Sequence, residues 1–356
     1  MRTARAIFLN AVSAGFVLVG GWSQVAAQPT TMTVIGASSN NGPFISHIWL
    51  GNATGFNDKL GIKVDYAPGG GSQAVMQLIA SKQGLAGQVS PIDLIQAKQR
   101  QPTLPLIVVY MHDIVTGYDL MVPADSPIKT IADMKEKTIG VLSMASGTVG
   151  HAKAMLRTHG VDAASVTMVP IGVGGQAAAA ISAKRVDIVC LPHSQVAVLE
   201  TLGFKFRTFH PNPSPASAGF VVHEDMLKTR RADIVKLMQS IAYSSAFSQV
   251  NPEAAVYGFW QLYGKPTGDV EKQLSNGIHA VKRNSELWKQ VGDSRRWGEM
   301  IEADWRANVE FMGVESGIDA KTVDYSKLFT TDLLDDVNKV DTTAAVKEAR
   351  EWKKPW

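Results

Sequence analysis

Five short loops in this chain carry residue types suited to holding a small polar molecule. Ser38–Asn41, Gly69–Gln73, Ser90-Pro91, Ser146–Thr148 and Gly172–Gln176 each follow an apolar run and precede a stretch of helical character. Such turns present free backbone N–H groups and the positive end of a helix dipole. Glycine lets a ligand approach the backbone, and Ser, Thr and Asn add uncharged hydrogen-bonding groups. The candidate ligand-binding residues are therefore Ser38, Ser39, Asn40, Gly71, Ser72, Gln73, Ser90, Ser146, Gly147, Thr148 and Gly175. His193 follows Pro192 at the end of an apolar run and is either a donor to the same ligand or an exposed loop histidine. Any one loop is explained as well by helix capping. Five of one design point to a shared site.

These loops contain no Lys or Arg: none occurs over 31–58, 83–97, 138–152 or 171–183. A helix end contributes about 0.3–1 kcal/mol toward an anion, whereas micromolar affinity needs about 8 kcal/mol. Uncharged donors hold a compact dianion poorly once its water is stripped. The expectation is a small organic ligand with one anionic or polar end, carboxylate- or sulfonate-bearing, and an apolar body. Tyr110, Tyr118, Trp49 or a C-terminal tryptophan are the aromatic residues available to cover that body.

Other chemistry finds little footing. The lone Cys190 lies between Val189 and Leu191, the setting of a small hydrophobe in a buried strand. His151 and His159 are eight residues apart, not the three to five typical of metal ligands, and no HExxH occurs, so no metal is expected. GGGSQA and GVGGQA satisfy G-x-G-x-x-A, but the acid after the second, Asp187, comes too early for a dinucleotide site. Ser126–Lys129 matches S-x-x-K without its companion motifs, and no G-x-S-x-G elbow is present. No cofactor and no catalysis are expected.

The elements that must position these loops show an internal repeat. With Gln73 set on Gln176, an offset of 103 residues, Gly69 and Gly71 fall on Gly172 and Gly174, and Ala74 falls on Ala177. Each copy reads as strand, glycine-rich turn, then alanine-rich helix. Alternating strands and helices imply parallel sheets, with ligands beyond the carboxyl ends of the strands. The expected fold class is α/β, with two lobes, a two-crossing hinge and a helical C-terminal block wrapped on the first lobe. Lobe 1 takes residues 28–122 and 219–356, and lobe 2 takes 123–218.

Residues 1–27 read as a signal peptide: Arg2 and Arg5, an apolar run from Ala6 to Leu18, and Val25-Ala26-Ala27 before a cleavage point near Ala27. Removing them lowers the formal charge from +3 to +1, which argues against a nucleic-acid partner.

The run PGGGSQAVMQLIASKQGLAGQVSP at 68–91, the connector SPIKTIADMKEKTIGV at 126–141 and the SGT at 146–148 resemble the substrate-binding proteins of ABC importers. The branch includes binders of aliphatic sulfonates, nitrate, taurine and pyrimidine precursors. The resemblance covers 31–255 and reappears in DYSKLFTTDLLDDVN at 324–338. It implies the type II periplasmic binding protein fold, and a periplasmic monomer that closes on a small organic ligand and delivers it to a membrane permease. It carries binding positions onto Ser39, Asn40, Gly71, Ser72, Ser90 and Ser146–Thr148. The chain departs from the branch in reading SKQGLAGQ at 81–88, and it lacks the cysteine-rich segment of the related thiamine-pyrimidine synthases. Two other readings stay open: a periplasmic enzyme on the same fold, or a sensing module for a membrane receptor.

Overall fold

Apolar runs separated by glycine-rich turns fold into two five-stranded sheets. The structure is a computed structural model and describes residues 28–38, 40–144, 146–212 and 214–355. The leader read at 1–27 and the candidate Ser39 lie outside the described residues.

The first sheet takes β1 (Thr30–Gly36), β2 (Ile62–Pro68), β3 (Ala86–Val89) and β4 (Leu106–Asp113). The second takes β5 (Leu120–Pro123), β6 (Thr138–Val141), β7 (Thr167–Pro170), β8 (Ile188–Cys190) and β9 (Phe206–Phe209). The chain then returns to the first sheet with β10 (Ala218–His223). The orders are β2-β1-β3-β10-β4 and β7-β6-β8-β5-β9. In each, the strands followed by helices pair in parallel, and the strand entering from the other sheet pairs antiparallel. This is the α/β architecture expected from the sequence.

Helices connect the strands. In the first unit they are α1 (Ser46–Ala53), α2 (Phe56–Lys59), α3 (Ser72–Ala80) and α4 (Pro91–Arg100). In the second they are α5 (Gly147–Thr158), α6 (Gly175–Ser182) and α7 (His193–Thr201). The C-terminal block holds α8 (Glu224–Thr229), α9 (Arg231–Val250), α10 (Pro252–Tyr263), α11 (Val270–Ser285), α12 (Glu302–Ser316), α13 (Leu334–Val337) and α14 (Thr342–Glu351).

The structure revises two expectations. The sequence places the strand near 118–122 in the first lobe, yet β5 pairs with β8 and β9 in the second sheet. Its edges are apolar on both sides, so sequence alone could not say which sheet it completes. The outward crossing is therefore residues 114–119, and the return crossing falls between β9 and β10. The sequence reading has the C-terminal block wrap the first lobe rather than form a third domain. Helices α9 and α14 do pack there, but α11 packs on α7 and α12 on α5. One hydrophobic cluster runs from Ile35 and Val75 through Trp305 and Met312 to Met155 and Cys190, joining both sheets through α12. Ion pairs add to these contacts: Arg283 and His279 of α11 hold Glu200 of α7, and Arg157 of α5 holds Glu315 of α12.

Candidate ligand-binding site

Glycine conformation starts both repeat helices. Gly71 caps α3 with φ +109° and Gly174 caps α6 with φ +51°, backbone angles that a side chain strains to adopt. Gln73 and Gln176 consequently occupy the same second helical position, and both are exposed.

On the first sheet, the loops behind β1 and β2 are tied together. Gly71 N–H donates to Ala37 O at 2.9 Å. Tyr66 OH donates to Ser38 O at 3.1 Å, and Ser38 Oγ accepts the Asn40 N–H at 3.1 Å. Burial pushes the Tyr66 phenol up to about 12, which keeps it a donor. Ser72 Oγ accepts the Ser90 N–H at 3.1 Å, and its hydroxyl bonds to the half-buried Asp93 carboxyl on α4. Burial raises the pKa of Asp93 above the usual carboxylate range, and the Ser72 bond opposes the rise.

The outward crossing meets the second sheet. Thr116 Oγ1 lies 2.7 Å from His151 Nε2, and the Tyr118 and His151 ring centroids are 5.0 Å apart. His193 N–H donates to Gly117 O at 3.0 Å. His193 Nε2 lies 2.8 Å from Asp119 Oδ2, and His210 Nδ1 lies 3.1 Å from Asp119 Oδ1. Burial lowers the His151 pKa to about 4, so the ring is neutral at neutral pH.

Behind Asp113, at the end of β4, the His47 and His112 rings stack at 3.9 Å beside Trp288. His112 Nδ1 lies 2.7 Å from Asp113 Oδ1, and its Nε2 lies 3.2 Å from Ser245 Oγ. Burial drives His112 down to about 3 and His47 well below its ordinary value, while it raises Asp113 to about 7. The charged form of each group loses its water without gaining a full counter-charge.

The candidate residues thus separate into three groups. Ser72 meets both Ser90 and Asp93. Ser38, Asn40 and Gly71 form one braced loop pair. Ser146 Oγ donates to Ser143 O at 2.8 Å and touches Thr148 Oγ1, so this turn satisfies itself. Neither Ser90 nor Ser146 caps its helix through its side chain. Gly147 and Gly175 are exposed at their helix starts. His193 is buried, against the reading of an exposed loop histidine, and Asp119 occupies its Nε2. Tyr110 and Trp49 are core residues at 1% and 0% exposure and cover no ligand; Tyr118 is half-buried at the seam. Cys190 is fully buried, as expected. Among the described residues no group of three or more His, Cys, Asp or Glu is arranged to hold a metal.

Sequence reasoning missed Asp93, Asp113 and the Thr116–His151 pair. Asp93 did carry a signal, since Ser90-Pro-Ile-Asp93 has the spacing of a helix-start capping box. Asp113 had only its place at the end of a β-branched run. A cavity of about 520 Å³ adjoins the second copy, lined by Leu142, Ile171, Gly172, Gln176 and Arg185. Another, of about 250 Å³, lies far from the loops between α1, α10 and α14.

Solved structures share this fold at low sequence identity. A Bordetella bronchiseptica protein superposes with TM-score 0.62 at 16% identity, covering 88% of this chain and 98% of that one. The alkanesulfonate-binding protein SsuA from Xanthomonas axonopodis pv. citri, bound to MOPS, has TM-score 0.57 at 14% identity, covering 88% and 99%. The desulfurization enzyme DSZB has TM-score 0.56 at 15% identity, covering 86% and 98%. Binding proteins and an enzyme thus share one periplasmic binding protein architecture. No curated protein matches the sequence. None of the described helices is long and apolar enough to cross a membrane. The model of the NMT1/THI5-like family matches residues 43–255, and the chain belongs to that family.

Proposed function

We propose that this chain is the solute-binding component of an ABC importer. In this reading it is exported by the segment 1–27, works in the periplasm as a monomer, captures a small organic solute between its lobes and hands it to a membrane permease. The observation that supports it is that helix starts of the first unit are tied to one another while the outward crossing packs on helices of the second. Ser72, Ser90 and Asp93 come from helix starts of the first unit, His151 and His193 from helices of the second, and Thr116 and Tyr118 from the outward crossing between them. A ligand that touches both sides favours closure only through contacts absent from the open form.

No catalysis is part of this proposal. Burial pushes the Cys190 thiol far above its ordinary range, which leaves no thiolate to attack a substrate. The enzyme reading is kept alive by one observation, that a desulfurization enzyme shares the fold. A sensing role would be favoured by a neighbouring kinase gene in place of permease and ATPase genes.

The test is calorimetry and small-angle scattering on the purified mature chain with a panel of small organic solutes. A bound solute at 100 times its dissociation constant should stabilise the chain by about 2.7 kcal/mol and shrink its radius of gyration. Replacing Ser72 and Ser146 together by Ala should weaken that solute. Unchanged affinity refutes the site, and turnover of a solute refutes the non-enzymatic reading.

A further inference from the structure

We infer that the second copy of the repeat holds a ligand site of its own, which takes a small monocarboxylate with a short apolar body. The site is the cavity of about 520 Å³ beside α6, a volume within the range of small-molecule pockets. Its walls are Leu142, Pro170, Ile171, Ala179 and Ala180, and its polar members are Gln176 and Arg185. All of these lie between 142 and 185, so the second unit builds the cavity without help from the first. The inference therefore does not rest on closure of two lobes around a solute.

Two local features set the polar members there. Gly172 has no side chain, and the Gln176 amide folds over it: a Cβ on Gly172 would lie 2.2 Å from Gln176 Oε1. At the far end of α6 the chain turns with Lys184 at φ +53°. Lys184 N–H donates to Ile181 O at 2.9 Å and Arg185 N–H to Ala180 O at 3.0 Å, the paired bonds of a Schellman end. That turn pins Arg185 against the helix whose flank lines the cavity. The first copy ends its helix in the same way, with Lys82 at φ +59° and Gln83 N–H on Leu78 O at 2.9 Å. Its polar side chains are engaged, however: Lys82 Nζ lies 2.8 Å from Asp225 Oδ2, and Gln83 Nε2 donates to Ser81 Oγ at 3.0 Å. Among the described residues Arg185 forms no ion pair, and neither its guanidinium nor the Gln176 amide has a hydrogen-bond partner. A planar guanidinium matches a carboxylate through two parallel N–H···O bonds. One unpaired cation balances one negative charge, and aliphatic walls favour an apolar body, so a dianionic phosphate is the poorer fit.

The experiment is calorimetry on the mature chain with hexanoate, butyrate, hexanamide and hexylammonium at one ionic strength, with scattering alongside. Hexanoate should bind at least about tenfold tighter than hexanamide and hexylammonium, and butyrate should be weaker by up to about fourfold per missing methylene. Arg185→Gln should weaken hexanoate about tenfold and leave hexanamide unchanged. Ala179→Phe, on the exposed flank of α6, should fill the cavity and remove binding of every probe. Both variants are checked for native circular dichroism, and the ranking of probes on the unaltered chain stands even if a variant fails to fold. The radius of gyration should not change with hexanoate. Hexanoate binding no tighter than hexanamide overturns the inference, as does full hexanoate affinity in folded Arg185→Gln or Ala179→Phe, or no binding of any probe. A radius that shrinks on adding hexanoate puts the probe between the lobes, which overturns the inference and leaves the solute-binding reading intact.

Discussion

The two copies of the internal repeat share a backbone and differ in what they build on it. In the first, Gly71 is followed by Ser72, whose hydroxyl joins Ser90 and Asp93. In the second, Gly174 is followed by Gly175, exposed and without a side chain to join anything. Packing differs in the same sense. Helix α3 buries Val75, Met76 and Ile79, and glycine at 87 on β3 makes room for them: a Cβ there would lie 2.4 Å from Val75 Cγ1. Helix α6 buries Ala177, Ala180 and Ile181, so the smaller residues sit on the helix. A common strand–turn–helix frame therefore does not make equivalent sites. The residue directly after the capping glycine decides whether a helix start is linked to its neighbours.

The largest test of this asymmetry uses acid. The first lobe buries His47, His112 and Asp113, while the second contributes His151. A histidine whose folded pKa is depressed contributes stability that is present above its unfolded pKa near 6.5 and is lost as pH falls toward the folded value. For His151 that window runs from 6.5 down to about 4, for His112 from 6.5 down to about 3. Each is worth on the order of 3 kcal/mol. Asp113, raised to about 7, works in the opposite direction: its stabilisation is present below its unfolded pKa and is lost as pH rises to about 7. Urea unfolding from pH 7 to 4 should thus show falling stability. Asp113→Asn should steepen the fall, and His151→Gln should make it shallower. A flat profile breaks the account.

Backbone approach is the next test. Gly69→Ala places a Cβ 2.5 Å from Val75 Cγ2 and 2.6 Å from the Gly36 carbonyl oxygen, and a packed backbone cannot retreat. The expected cost is about 3 kcal/mol, the upper end for overpacking. At the matching Gly172 the close atom is Gln176 Oε1, the end of a flexible exposed side chain. There Ala should cost about 1 kcal/mol, from its φ of +67°. Equal costs by urea midpoint would erase the difference between the copies.

The smallest effect sharpens the comparison. Ser72→Ala leaves the Ser90 N–H without its acceptor and should cost about 1 kcal/mol. Gly175→Ser, which writes the first copy's residue into the second, should change stability by less than about 0.5 kcal/mol, because no partner waits for the hydroxyl. Thermal unfolding of both variants measures it.

Much of the fold was legible in the chain. Strand and helix periodicity, the glycines at 71 and 174, and the 103-residue offset identified two related α/β units, because these are local demands of backbone geometry. Their helix starts were legible for the same reason. The site was legible only in part. Ser72 and Ser90 were found singly, but their bond spans 18 residues and Thr116–His151 spans 35. Asp93 is hidden by its charge among loops of otherwise neutral donors, and the burial of Tyr110 and Trp49 is not legible because an aromatic residue does not announce which side of a sheet it faces.

The sequence by itself determined the alternation of elements, the repeat and the turns that only glycine enters without strain, since each depends on neighbours a few bonds away. Tertiary structure alone decided which sheet β5 completes, that α11 and α12 reach the second sheet, and that Asp119 of the outward crossing meets His193 and His210. Those outcomes depend on burial and on charges brought together from distant parts of the chain, where the protein interior, unlike water, does not screen them.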